Sequence, residues 1–155
     1  MTFTPEELAQ RCAEAMWRED RASQALGMSL DAVGPGTATL SMTVGDTMIN
    51  GHEICHGGLI FTLADSAFAF ACNAYNKVTV AQHCAITFLA PAKLGDRLTA
   101  RAQERTRQGR SGIYDIQVTK QDGSLVAEFR GHSRNIQGHL VPELEEPEAE
   151  EEEAS

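Results

Sequence analysis

The chain lacks any run of about 18 consecutive apolar residues, the length a membrane-spanning helix needs, so no membrane partner is expected. It also lacks the basic-then-apolar order of an export leader. Its opening, MTFTPEELAQRCAEAMWRED, is charged and amphipathic, which points to the cytoplasm. No C-x-x-C pair is present: Cys12, Cys55, Cys72 and Cys84 are scattered, as expected of reduced thiols rather than a disulfide framework. A basic excess is missing too, and the net charge is −9. That figure belongs mostly to the end of the chain, where eight glutamates fall between Glu143 and Glu153. Setting those eight aside leaves 14 of the 22 acidic residues against 13 basic ones. A neutral body excludes the basic face that sequence-independent nucleic-acid binding requires.

What remains is one ordinary domain. With 155 residues, 42% of them hydrophobic, the chain can bury a core without disulfides or metals. Thr4-Pro5-Glu6-Glu7 is a helix start, and Leu8, Cys12, Ala15, Met16 and Leu26 continue an apolar stripe that Gly27 ends. SLDAV and TATLSMTV read as two strands about a Gly34-Pro35-Gly36 turn, with Ala38, Leu40, Met42 and Val44 on one face. A long apolar helix is expected from about Gly58 to Tyr75. Four further strands follow, in VTVAQHCAITFLAP, DRLTARAQERTRQ, GIYDIQVTKQ and LVAEFRGHSRNIQ. A mostly apolar helix has to be wrapped, and the available wrapper is an antiparallel sheet of five or six strands. The expected class is α+β, a hotdog: residues 1–26 an N-terminal helix, 27–138 the domain, 139–155 an acidic disordered tail.

His52-Glu53-Ile54-Cys55-His56 fits H-E-x-x-H, which on a helix places two histidines on one zinc ion. Here Asn50-Gly51 precedes the pattern and Gly57-Gly58 follows it, and each glycine weakens a helix interior by roughly 1 kcal/mol. The helix this chemistry needs is not expected, and no metal is assigned.

Gly57 and Gly58 stand where the long helix begins. They make either a tight turn or a place where a carbonyl oxygen approaches the unpaired N–H groups and positive dipole end of the helix, as in an oxyanion hole. Asp65 lies eight residues further, with Phe61, Thr62, Phe68 and Ala69 as its helical neighbours and no basic partner. Thr62, Asp65, Ser66, Ala69 and Asn73 form a narrow polar or small stripe. A carboxylate in that setting has a tunable pKa and reads as functional. Gly57 and Asp65 are separated by about 12 Å along a helix. To act on one carbonyl they must come from two antiparallel copies, so a homo-oligomer is expected.

NGHEICHGGLIFTLADSAFAFACN, with ITFLAPAKLGDRLTA and GRSGIYDIQVTKQDGSLVAEFRGHSR, resembles the hotdog-fold acyl-CoA thioesterases, particularly the branch associated with phenylacetate degradation. The resemblance implies a dimer as minimal active unit, commonly paired into a tetramer, hydrolysing aryl-acetyl-CoA without a cofactor, coenzyme A being part of the substrate. It implies Gly57 as backbone donor to the thioester carbonyl and the partner's Asp65 as nucleophile or general base. Asn50 matches a polar side chain beside the thioester, and His56 a supporting loop histidine. Asn50 on its own also suits an Asn-Gly turn. Thr62 and Ser66 are candidates to bond the carboxylate or substrate. Gly58, Arg110 and Ser111 complete the substrate-binding set, the last two either facing the coenzyme phosphates from the RQGRSG turn or forming a solvated hairpin tip. The same fold without turnover, as an acyl-CoA-binding regulator, is the alternative. A hydratase of this fold would want an Asp–His pair nearer its helix start.

Overall fold

The computed structural model describes residues 3–144. Helix α1 (Pro5–Glu19) starts as its sequence dictates: Glu7 N–H donates to the Thr4 hydroxyl at 3.1 Å, and proline occupies the first turn. The stripe expected to run unbroken to Gly27 is interrupted. Asp20 takes the Ser23 N–H at 2.9 Å and caps a second short helix, α2 (Arg21–Ala25). A carboxylate that satisfies the next helix's donors also ends the previous one.

Strands β1 (Ser29–Gly34) and β2 (Thr37–Thr43) form the first hairpin, closed at Gly36 with φ +68°. Helix α3 (Gly57–Cys72) follows a loop, then β3 (Thr79–Phe88), β4 (Arg97–Gln108), β5 (Ser111–Thr119) and β6 (Leu125–Asn135). All neighbouring strands are antiparallel, in the order β1-β2-β4-β5-β6-β3. Helix α3 ends at Cys72, three residues before the expected Tyr75. The Asn73 side chain bonds Ala69 O, Thr79 O and Thr79 N at 2.9–3.0 Å, turning the chain straight into β3.

The curled sheet wraps α3. Leu63, Ala64, Ala67 and Ala71 are wholly buried against Leu40, Met42, Leu98, Ala100, Ile116 and Val118, which recur at every second residue of their strands. Phe68 sets the closest approach. A Cβ on Gly131 of β6 would lie 2.7 Å from its ring, so only glycine lets helix and sheet meet there. This is the hotdog layout, an apolar helix held inside an antiparallel sheet.

The C-terminal boundary moves. Residues 139–144, assigned to a disordered tail, are held in place: Val141 is buried, and its N–H and C=O both bond the Asn76 side-chain amide, at 2.8 and 3.1 Å. The rest of the expected tail, residues 145–155, lies outside the described residues. Among the described residues, no helix is long and apolar enough to cross a membrane.

Candidate active site

The H-E-x-x-H pattern is not helical. Ile49 bridges Cys55, Asn50 N–H donates to Ile54 O at 2.8 Å, and Glu53 stands at φ +61°. These residues form a tight hairpin, so the one-turn spacing that would converge two histidines is never made. Among the described residues no group of three or more His, Cys, Asp or Glu side chains is placed to hold a metal.

The hairpin serves the helix start instead. His56 N–H donates to Met48 O and Cys55 N–H to Ala92 O, which fixes where α3 begins. His56 is its N-cap: Nδ1 accepts the Gly58 N–H at 2.9 Å. Leu59 and Ile60 N–H both reach His56 O. That leaves the Gly57 N–H with no acceptor among the described residues, at the positive end of the helix dipole. The two glycines therefore differ. Gly57 offers a free donor, whereas the Gly58 donor expected to bind substrate is taken by His56.

Gly57 opens onto a cleft of about 340 Å³, lined with Asn50, Ile54, Cys55, Ile60, Phe88 and Pro91 among others. Asn50 Oδ1 accepts the His52 N–H at 2.9 Å, so it does make a side-chain turn. Asn50 lines the cleft, and its amide nitrogen has no partner among the described residues. The ring of Phe88 lies 3.0 Å from where a Gly57 Cβ would stand. Phe88, half exposed at 50%, is a lining residue that sequence reasoning missed. Its signal was the alternation in CAITF, which puts Cys84, Ile86 and Phe88 on the helix-facing side of β3.

Asp65 sits further along α3, half-buried, and no hydrogen bond or ion pair reaches its carboxylate among the described residues. Burial alone raises its pKa above the ordinary 3.8. Its negative charge in turn helps push up the thiols of Cys84 and Cys72, after the larger effect of their own burial. Within one chain, Asp65 and the Gly57 cleft are not brought together. The two lie along one edge of the molecule, beneath the edge strand β3, whose ten residues TVAQHCAITF carry no carboxylate, lysine or arginine. A long edge without charge is a template for pairing with another strand.

The other sequence candidates separate. The Thr62 hydroxyl donates back to Gly58 O at 2.8 Å, within its own helix. Ser66 points away from the site and exchanges a hydrogen bond with Ser23 of α2 at 2.9 Å, which pins the N-terminal helices to α3. Arg110 and Ser111 stand at the β4–β5 hairpin, remote in sequence and outside the cleft lining. Arg107 is engaged by Glu104 at 3.1 Å and stacks over Tyr75, while the Arg110 side chain has no partner among the described residues.

The chain also resembles known proteins over most of its length. The thioesterase superfamily model matches residues 52–127, the span from the hairpin into β6. The chain is 45% identical over 131 residues to the acyl-coenzyme A thioesterase PaaI of Escherichia coli K12, covering 84% of this chain and 94% of that one. The solved structure of E. coli PaaI, from the phenylacetic acid degradation operon, superposes with a TM-score of 0.86, covering 88% of this chain and 99% of that one. A variant of the phenylacetic acid degradation protein PaaI from Thermus thermophilus is 34% identical with a TM-score of 0.73, covering 76% and 100%. With that coverage and identity, and a helix wrapped as these folds require, the chain belongs to the thioesterase superfamily.

Proposed function

We propose that this enzyme hydrolyses the thioester of acyl-CoA, with an aryl-acetyl group as the acyl part, in sites shared between two copies of the chain. The observation that carries the reading is the carboxylate of Asp65, half-buried and unpartnered among the described residues of its own chain. Burial holds such a group in a reactive state, and a structural carboxylate would have collected partners.

The thioester carbonyl is taken by the free Gly57 N–H, with the helix dipole behind it, where charge develops on oxygen. Asn50 supplies a second donor from the cleft wall. Pairing of β3 with β3 of a second copy runs the two α3 helices antiparallel and brings the partner's Asp65 towards this cleft. That carboxylate then either attacks the carbonyl carbon, giving a mixed anhydride that water hydrolyses to free acid and Asp65, or takes a proton from the attacking water. The thiolate leaves without needing a strong acid, so the residues require no metal and no retained cofactor. His56 acts by fixing the helix start. Arg110 and Ser111, at a hairpin tip with an uncommitted guanidinium, are assigned to the coenzyme phosphates. An aryl acyl group suits the apolar lining of Ile54, Ile60, Phe88 and Pro91, and matches the phenylacetic acid operon of the E. coli relative. The assembly is a dimer at least, and a tetramer if dimers pair again.

Release of free thiol from phenylacetyl-CoA and a panel of aliphatic acyl-CoAs tests this, with Asp65→Asn beside wild type. Turnover lost in the variant, with fold and oligomer intact, supports the reading, and the panel ranking tests the acyl class. Tight acyl-CoA binding without turnover by wild type leaves a binding regulator instead.

A further inference from the structure

Among the described residues that line the cleft at Gly57, one is aromatic, Phe88, and its ring is placed unlike the others. Phe61, Phe68, Phe70 and Phe129 each pack against another aromatic ring, and Phe3 lies under the Arg11 guanidinium. Neither a ring nor a cation meets Phe88 among the described residues. Its backbone, by contrast, is held firmly. Phe88 pairs with Ala127 of β6, and the next two N–H groups, of Leu89 and Ala90, both reach Val126 O at 2.8 and 3.3 Å. Further on, Ala92 O accepts the Cys55 N–H at 2.7 Å and Lys93 bridges Ile54, which ties this segment to the opposite wall of the cleft. The backbone walls are thus braced, and Cys55 and Ile60 are buried in the core. Phe88 is different. Its ring tip adjoins the carbonyl-binding donor, with Cζ, Cε1 and Cε2 at 3.0, 3.3 and 3.5 Å from a Cβ placed on Gly57.

Given the reading of Gly57 as donor to the thioester carbonyl, on which this rests, we propose that Phe88 selects the acyl group by packing its ring against the aryl ring of the substrate. A carbonyl oxygen on the Gly57 N–H fixes one end of the acyl group. In an aryl-acetyl group a single methylene separates that carbonyl from the ring, so the ring stays within reach of Phe88. Aromatic pairs attract, offset or edge to face, at centroid separations of about 4.5–7 Å. Such a pair is worth about 2–10-fold beyond the burial of its area. An alkyl group gains the burial offered by Ile54, Ile60 and Pro91 but not this contact, and a flexible chain also loses rotamer freedom. Gly57 and Phe88 act as a unit. A side chain at position 57 would crowd the ring tip, so the glycine that frees the donor also sets where the selecting ring stands.

The test compares phenylacetyl-CoA with cyclohexylacetyl-CoA, whose saturated ring has nearly the same reach, in wild type and Phe88→Leu. The ratio of kcat/KM, phenyl over cyclohexyl, should fall by about 2–10-fold from wild type to the variant. The intrinsic reactivities of the two thioesters cancel in that comparison. Ile54→Val, a change in the lining that removes no ring, should keep the wild-type ratio. An unchanged ratio in Phe88→Leu, or an equal fall in Ile54→Val, overturns the role of Phe88 and leaves thioester hydrolysis standing, because both substrates still turn over. No turnover of either substrate by folded wild type sinks the hydrolase reading and this role with it. Circular dichroism and oligomer mass certify each variant, and Phe88→Ile gives the same comparison should the leucine variant fail to assemble.

Discussion

Two carboxylates serve the same small domain, and their surroundings could hardly differ more. Glu104 accepts the hydroxyls of Tyr75 and Tyr114, each at 2.9 Å, and pairs with Arg107 at 3.1 Å. It costs the tyrosines their acidity: Tyr75 is pushed up to about 12, first by burial and then by this bond, and Tyr114 is raised further in the same order. Asp65 has no such company. A partly buried acid with one oxygen held by three partners of its own chain is a structural joint. One left bare along an unpaired sheet edge is waiting for something from outside.

The contrast is easiest to break at Asp65. Asp65→Asn should lower kcat by about 10²–10⁴-fold, the range for loss of a positioned acid–base group, without lowering Tm. A comparable loss of activity in Glu104→Gln would erase the distinction. Mixing separately inactive Asp65→Asn and Gly57→Val chains sharpens it further. A site built from Gly57 of one copy and Asp65 of the other should recover about a quarter of wild-type activity after subunit exchange, because half the dimers are mixed and each has one intact site. No recovery, with exchange confirmed by mass, would place both groups in one chain.

Stability should respond in the opposite sense. Glu104→Gln should cost about 1–3 kcal/mol in urea unfolding, since it weakens three bonds to a half-buried group. Asp65 should show a pH signature. Burial raises its folded pKa above 3.8, so ionisation penalises the folded chain more than the unfolded one. Wild type should therefore lose stability relative to Asp65→Asn as pH rises from the unfolded value through the raised one, and the gap should close in acid. Activity runs the other way: kcat/KM should fall in acid along a limb lying above pH 3.8, because the ionised form does the work. The smallest effect is expected at the helix start, where His56→Ala should cost about 1 kcal/mol by removing the Gly58 cap.

Much of this was legible in the chain. Alternation in TATLSMT and the later strands, and the apolar length of α3, are strong periodic signals, and they led to the wrapped helix. Asp65 stood out because it contradicts its surroundings. Other features depend on partners distant in sequence and leave no local mark. Glu104 meets a tyrosine 29 residues away. Ser66 shares the polar stripe with Asp65, yet one residue turns a helical side chain by about 100°, enough to hand it to Ser23. His56 escaped notice as a cap because the usual N-cap side chains are Ser, Thr, Asp and Asn.

The Asn76 clamp has a practical corollary. Asn76 sits at φ +58° past the end of α3 and holds Val141 through its amide, while its own C=O meets His139 Nδ1 at 2.7 Å. The described chain therefore leaves the domain beside the C-terminal end of a helix about 24 Å long, whose other end is the Gly57 cleft. A reporter joined at residue 144, the last described, would thus stand at the far pole from the cleft of the same chain. In the antiparallel dimer that pole lies towards the partner's cleft, whereas an N-terminal tether would pull on the helices that Ser66 secures.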